Sequence, residues 1–178
     1  MRTQKLKTVN TKVTATQADR LFVDANSAWD RGDLITAYSL FTKSAELGDT
    51  GSQLDLGYFF HQGLFVRRNE KKAIEWYYKA YQNGNPGGAN NIATVYRELG
   101  KRHKMFWWFR RAAEMGDSAV QLDLAHRYEN GSGLPRNLKM ALRFYRQVLD
   151  NGAATKEEKS LARIRVADIS RRSLTNGS

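Results

Sequence analysis

An all-α solenoid of antiparallel helix pairs is the fold this sequence predicts, and three observations carry it. Gly48, Gly84, Gly116 and Gly152 recur at separations of 36, 32 and 36 residues. Eleven residues before each glycine stands Ala37, Ala73, Met105 or Ala141. Seven before it stands an aromatic ring, from Phe41, Tyr77, Phe109 and Tyr145. The two prolines, Pro86 and Pro135, both fall between periodic segments, as long helices with short connections require. A repeat of this length marks stacked units, each too small to bury its own apolar face.

Residues 1–16 are polar and basic, with Arg2, Lys5, Lys7 and Lys12, and are expected to be flexible. Residues 17–174 read as one domain of four units, about 17–48, 49–84, 85–116 and 117–152. In the first unit Ala25 and Ala28 take the small-residue places around Trp29, and Gly32-Asp33 marks the turn. The later units share a tighter pattern in their first helices: Leu56-Gly57 with Phe60, Ile92-Ala93 with Tyr96, Leu124-Ala125 with Tyr128. A small residue there lets two backbones cross closely, and the ring fills the space one turn later. Second helices carry apolar residues at steps of three and four, as in Ala73, Trp76, Tyr77 and Ala80, or Met105, Trp108, Phe109 and Ala112.

Helix ends are legible as well. Asp33, Asn69 and Asn137 stand four residues before the column of Ala37, Ala73 and Ala141, where a side-chain oxygen caps the first amides. Lys101 holds that place in the third unit and has no acceptor to offer. The four closing glycines are expected in left-handed C-caps. Gly84-Asn85-Pro86-Gly87-Gly88 and Gly131-Ser132-Gly133 read as connections. After Gly152, residues 155–172 form a capping helix with Leu161, Ala162, Val166 and Ile169 on one face, and 175–178 a disordered tail.

With no Cys, disulfides, thiol catalysis and Cys-based zinc sites are excluded. His61, His103 and His126 show no metal-ligand spacing, so neither a metal, a cofactor nor an enzymatic reaction is expected. No stretch has the apolar run of a signal peptide or a membrane span, and a cytoplasmic location is the expectation. The net charge of +11 points toward an acidic partner.

These residues resemble the Sel1-like repeat, a relative of the tetratricopeptide repeat. The resemblance is strongest over Ser118–Gly152, through Leu124-Ala125, Tyr128, the Gly131-Ser132-Gly133-Leu134 loop, Asn137, Ala141, Phe144-Tyr145 and Gly152. In the 49–84 unit Phe65 replaces the second loop glycine. The resemblance implies a right-handed solenoid whose first helices line a concave groove. Groove positions carried over are Phe22, Asn26 and Trp29; Leu54, Tyr58 and His61; Asn90, Thr94 and Arg97; and Leu122, His126 and Glu129. Phe22, Leu54 and Leu122 are expected to pack between helices. The partner-binding expectation therefore rests on Asn26, Trp29, Tyr58, His61, Asn90, Asn91, Thr94, Arg97, His126 and Glu129. First helices carry three basic against seven acidic residues, second helices eleven against five, which makes the groove mildly acidic and the back basic.

One residue breaks its column. Ser39, Glu75 and Arg143 occupy the place that Trp107 takes in the third unit, so Trp107 is expected outside, with Lys104, Arg110 and Arg111 within about a turn. It either offers a second surface or rests on Arg111 as a cation–π pair. The resemblance implies a non-catalytic adaptor that binds a peptide or protein in the groove. An immunity-type protein that neutralises a bacterial toxin is the alternative, and nucleic-acid or anionic-membrane binding through the basic face a further one.

Overall fold

The computed structural model describes residues 17–175, with side chains as far as Arg172. The expected flexible segment 1–16 and residues 176–178 of the expected tail lie outside them. The described residues form helices and no strand. These are α1 (17–30), α2 (Leu34–Glu46), α3 (Thr50–Gln62), α4 (Glu70–Gln82), α5 (Pro86–Glu98), α6 (Arg102–Glu114), α7 (Ser118–Asn130), α8 (Leu138–Asp150) and α9 (Lys156–Thr175). The architecture is the all-α solenoid that the repeat predicts. Two compact units divide between Met105 and Phe106, within α6. In the first, α2 packs on α3, α3 on α4 and α4 on α5; in the second, α7 packs on α8 and α8 on α9. Thr175, expected in the tail, is the last residue of α9.

The caps follow from side-chain chemistry. Asp33, Asn69 and Asn137 accept hydrogen bonds from the backbone N–H of Thr36, Lys72 and Met140, at 3.1, 3.0 and 3.0 Å. Asp49, Asn85 and Asp117 do the same for α3, α5 and α7. Each satisfies a donor that the helix itself leaves unpaired. Lys101 contributes only its carbonyl, which accepts from Met105 N–H at 3.0 Å. Gly48, Gly84 and Gly116 are left-handed, with φ of 98°, 85° and 94°. Gly152 is not, contrary to the expectation. A polar clamp ends α8 instead: the Asn151 amide donates to the Gly116 carbonyl at 2.7 Å and to Gln121 Oε1 at 3.2 Å. Asn151 is extended and turns the chain toward α9 without a left-handed residue.

The columns of small and aromatic residues form the core. Ala37, Ala73 and Ala141 have no exposed surface, nor have Tyr145 and Phe59, and Phe41 and Tyr77 are nearly as deep. A Cβ on Gly57 would sit 2.5 Å from the Tyr77 ring, so the small residue sets how closely α3 and α4 approach. Gly88, expected in a connection, lies inside the first turn of α5, with Pro86 at the helix start. That position suits proline, whose missing N–H would be unpaired there anyway. A Cβ on Gly88 would collide with the Tyr77 carbonyl oxygen and the Tyr81 backbone nitrogen.

A polar contact also repeats. Gln53 donates to the Ala45 carbonyl at 3.2 Å and accepts from Asn83, while Gln121 donates to the Ala113 carbonyl at 2.8 Å and accepts from Asn151. Buried amides need such partners. The same pair thus ties the ends of second helices to a first helix in both units.

Candidate functional site

In the first unit α1, α3 and α5 bring Trp29, Tyr58, Asn90, Asn91, Thr94 and Arg97 to successive first-helix positions. Tyr58 is 43% exposed although it is an aromatic residue. Its ring is held from one side by Trp29, at 6.2 Å between centroids and an interplanar angle of 60°. Asn90, Asn91 and Thr94 are half-buried; Arg97 is exposed and forms no ion pair with the described residues. The Asn26 amide donates back to the Phe22 carbonyl at 2.8 Å, which occupies one of its hydrogens.

Asp55, one turn before Tyr58 on α3, does not belong to the groove positions carried over by resemblance. Its corresponding residue in the second unit, Asp123, is bridged at 2.6 Å by Arg127 four residues on. Asp55 has Phe59 there instead, and it makes no hydrogen bond or ion pair among the described residues. Burial, reinforced by the Asp49 carboxylate, pushes its carboxyl up from 3.8 to about 6. The nearby Tyr77 hydroxyl is pushed above its ordinary range, by burial first and then by Tyr58, Asp55 and Glu98. Tyr58 and Asp55 thus stand one turn apart on α3, the ring half-exposed and the carboxylate without a counter-ion among the described residues.

Three expected groove residues are committed to internal contacts, all at the same place in their helices. Trp29 meets Phe59 of α3 edge-on at 5.3 Å. His61, 4% exposed, meets the Glu98 carboxylate of α5 at 3.0 Å through Nε2. Glu98 also accepts from Arg68 at 3.0 Å, and Arg68 from its other side bridges Glu70 at 2.9 Å. Glu129, 4% exposed, accepts from the Tyr145 hydroxyl at 2.8 Å and is bridged by Arg165 of α9. Burial works to raise the Glu129 pKa, but the Arg165 and Tyr145 bonds outweigh it and hold the carboxyl below its ordinary value. On α1, α3 and α7 this position therefore joins a first helix to α3, α5 and α9 respectively, which takes His61 and Glu129 off the open surface, whereas Arg97 at the same place on α5 is exposed. Their partners lie 37 and 36 residues downstream, so no local pattern announces them.

In the second unit His126 is half-buried, its ring edge-on to Tyr145 at 5.6 Å. Trp107 is 49% exposed, as its column requires. The Arg111 guanidinium lies 4.8 Å from its ring centroid, and Trp108 meets it edge-on at 4.7 Å. Arg111 bridges Glu114 at 3.0 Å, and Arg110 approaches the same carboxylate at 4.0 Å. Trp107, Arg110, Arg111 and Glu114 enclose a hollow of about 160 Å³. Lys104 turns elsewhere, with its ammonium 5.4 Å from the Tyr96 ring. Trp108, expected in the core like Trp76, is half-buried, as Trp76 is. Among the described residues no helix is long and apolar enough to cross a membrane.

The sequence profile of the Sel1 repeat matches residues 30–49, 51–85, 106–117 and 118–152. The chain is 32% identical over 87 residues to the F-box protein At1g70590 of Arabidopsis thaliana, a match covering 49% of this chain and 24% of that protein. It is 23% identical over 119 residues to the ERAD-associated E3 ubiquitin-protein ligase component HRD3 of Candida glabrata, covering 62% and 14%. The chain thus spans no more than a quarter of either relative. Among solved structures, a Sel1 repeat protein from Oxalobacter formigenes superimposes with a TM-score of 0.63 at 25% identity, over 76% of this chain and 57% of that one.

Proposed function

This chain belongs to the Sel1 repeat family, and from that premise we propose that it is a non-catalytic interaction module holding a protein partner against the Tyr58 side of its first unit. The observation that carries this reading is the pairing of a half-exposed aromatic ring with an unpartnered, half-buried carboxylate. Tyr58 is fixed on one side by Trp29 and open on the other. A rigid aromatic of this kind supplies contact area at low entropic cost. Asp55 lies one turn away and lacks the arginine that neutralises its counterpart Asp123. An incoming lysine or arginine offsets the desolvation that raises its pKa. Asn91 and Thr94 are placed to bond a partner's backbone, and Arg97 meets a carboxylate farther along.

The partner that suits this surface is a segment with an apolar anchor and a basic residue, even though the chain as a whole is strongly basic. Local charge decides: first helices are net acidic while the excess lies on the second helices. The test is affinity capture from the native extract with the wild-type chain and with a Tyr58→Ala, Asn90→Ala, Arg97→Ala triple variant of unchanged helicity. Proteins held by the wild type and lost by the variant are the partners of this face. Identical captures by both chains refute the assignment.

A further inference from the structure

On the first unit a second surface faces away from Tyr58. Phe60 lies two residues on in α3, about 200° around the helix. It forms the common floor of two adjoining clefts of about 670 and 580 Å³, both also lined by Tyr38 and Lys72. We propose that this α2–α4 cleft binds a second protein partner, through an acidic segment that carries an apolar residue.

The first argument is backbone geometry. Phe65 is the one non-glycine residue with positive φ among the described residues, at 59°. In the second unit the same loop place is taken by Gly133, at 78°. Glycine makes this turn without steric penalty, whereas a bulky side chain resists it, and such strain concentrates at ligand clamps. The ring it places there is 53% exposed and leans on Tyr38, at 5.5 Å between centroids, while Tyr38 meets Phe60 at 6.3 Å. Phe65 therefore extends the aromatic wall of the cleft at the cost of a strained turn.

The second argument is charge. Arg67, Lys71, Lys72 and Lys79 border the clefts, are exposed, and form no ion pair with the described residues. Glu75 is the carboxylate that remains among them, because Glu70 is already bridged to Arg68. An acidic chain is the complement of that rim. Nucleic acid is the poorer match. Trp76 is half-buried and Lys79 lies over its ring at 3.6 Å, which denies a base that stacking face. Glu75 also interrupts the track that a continuous phosphate backbone needs.

The test is fluorescence anisotropy of the full chain with labelled probes. The probe is a peptide of about twelve Asp and Glu residues around one central Phe; the others replace that Phe by Ser, or are a single-stranded oligothymidylate of equal charge. Three variants separate the site from bulk charge: Lys72→Glu with Lys79→Glu, Phe65→Gly, and Lys139→Glu with Arg143→Glu on α8 as the control of equal net charge. Phe65→Gly keeps the turn, as Gly133 does. The expected result is that the Phe peptide binds best and that the cleft variants each weaken it about tenfold, with the control near wild type. Equal weakening by the control pair, indifference to the central Phe, tighter binding of the oligonucleotide, or no binding at physiological ionic strength each overturns the proposal.

Discussion

Replacing Asp55 by Asn is expected to stabilise the fold and weaken the function together. The rise from 3.8 to about 6 means that the folded state disfavours the ionised carboxylate by roughly 3 kcal/mol at most. Asp55 is half-buried and partly screened by water, so a penalty of about 1–3 kcal/mol at neutral pH is the working figure. The sign follows from the direction of the rise. A carboxyl whose folded pKa lies above its unfolded one favours folding below pH 3.8, and that contribution is lost as pH climbs through about 6. Asparagine carries the same shape without the charge. The stability gap between variant and wild type should therefore be small at pH 4 and reach about 1–3 kcal/mol by pH 7. Urea unfolding followed by circular dichroism at both pH values measures it, and comparison within each pH cancels every other titrating group. A gap that is equal at the two pH values, or that favours the wild type at pH 7, refutes the reasoning. The same substitution removes the anion offered to a basic partner, so affinity should fall while stability rises, as is common where a site is built from unfavourably placed charge.

Three further outcomes follow from the packing. Gly88→Ala should destabilise by about 3 kcal/mol or more, because its Cβ meets the backbone of Tyr77 and Tyr81, which cannot swing aside; thermal unfolding of the variant checks this. Arg165→Met should cost about 2–3 kcal/mol at neutral pH by stranding the buried Glu129. Glu129 is held below its ordinary pKa, so that contribution is present above the unfolded value and should vanish as acid protonates the carboxyl, which urea titrations at pH 7 and pH 3 will show. Trp107→Ala should change stability by less than about 1 kcal/mol, since half of the ring is exposed and its chief contacts are Arg111 and Trp108; chemical denaturation settles it.

What the sequence made legible is what local physics dictates. The Ala and aromatic columns report a crossing repeated at a fixed period, and Asp33, Asn69 and Asn137 report their caps because a cap bonds an amide three residues away. Gly88 reads as part of a connection because Pro-Gly-Gly resembles a loop, although proline is also at home in a first helical turn. The column of Gly152 predicts a left-handed cap, but Asn151 finds acceptors 30 and 35 residues away and ends the helix differently. The same distance hid the role of His61 and Glu129. Glu98 comes from the following repeat and Arg165 from the capping helix, so a groove position transferred by resemblance does not reveal whether it faces a ligand or a neighbour. Asp55 was visible only by contrast: Asp123 has Arg127 one turn on, and Asp55 has Phe59.

Whether a partner lies against the Tyr58 side is tested most directly by tyrosine-selective nuclear magnetic resonance. The chain has eight tyrosines, which can be carbon-13 labelled and assigned by substitution. On titration with the captured partner, the ring signals of Tyr58 should shift and broaden first, while those of the buried Tyr145 in the second unit stay in place. An unmoved Tyr58 signal in a saturated complex contradicts the account.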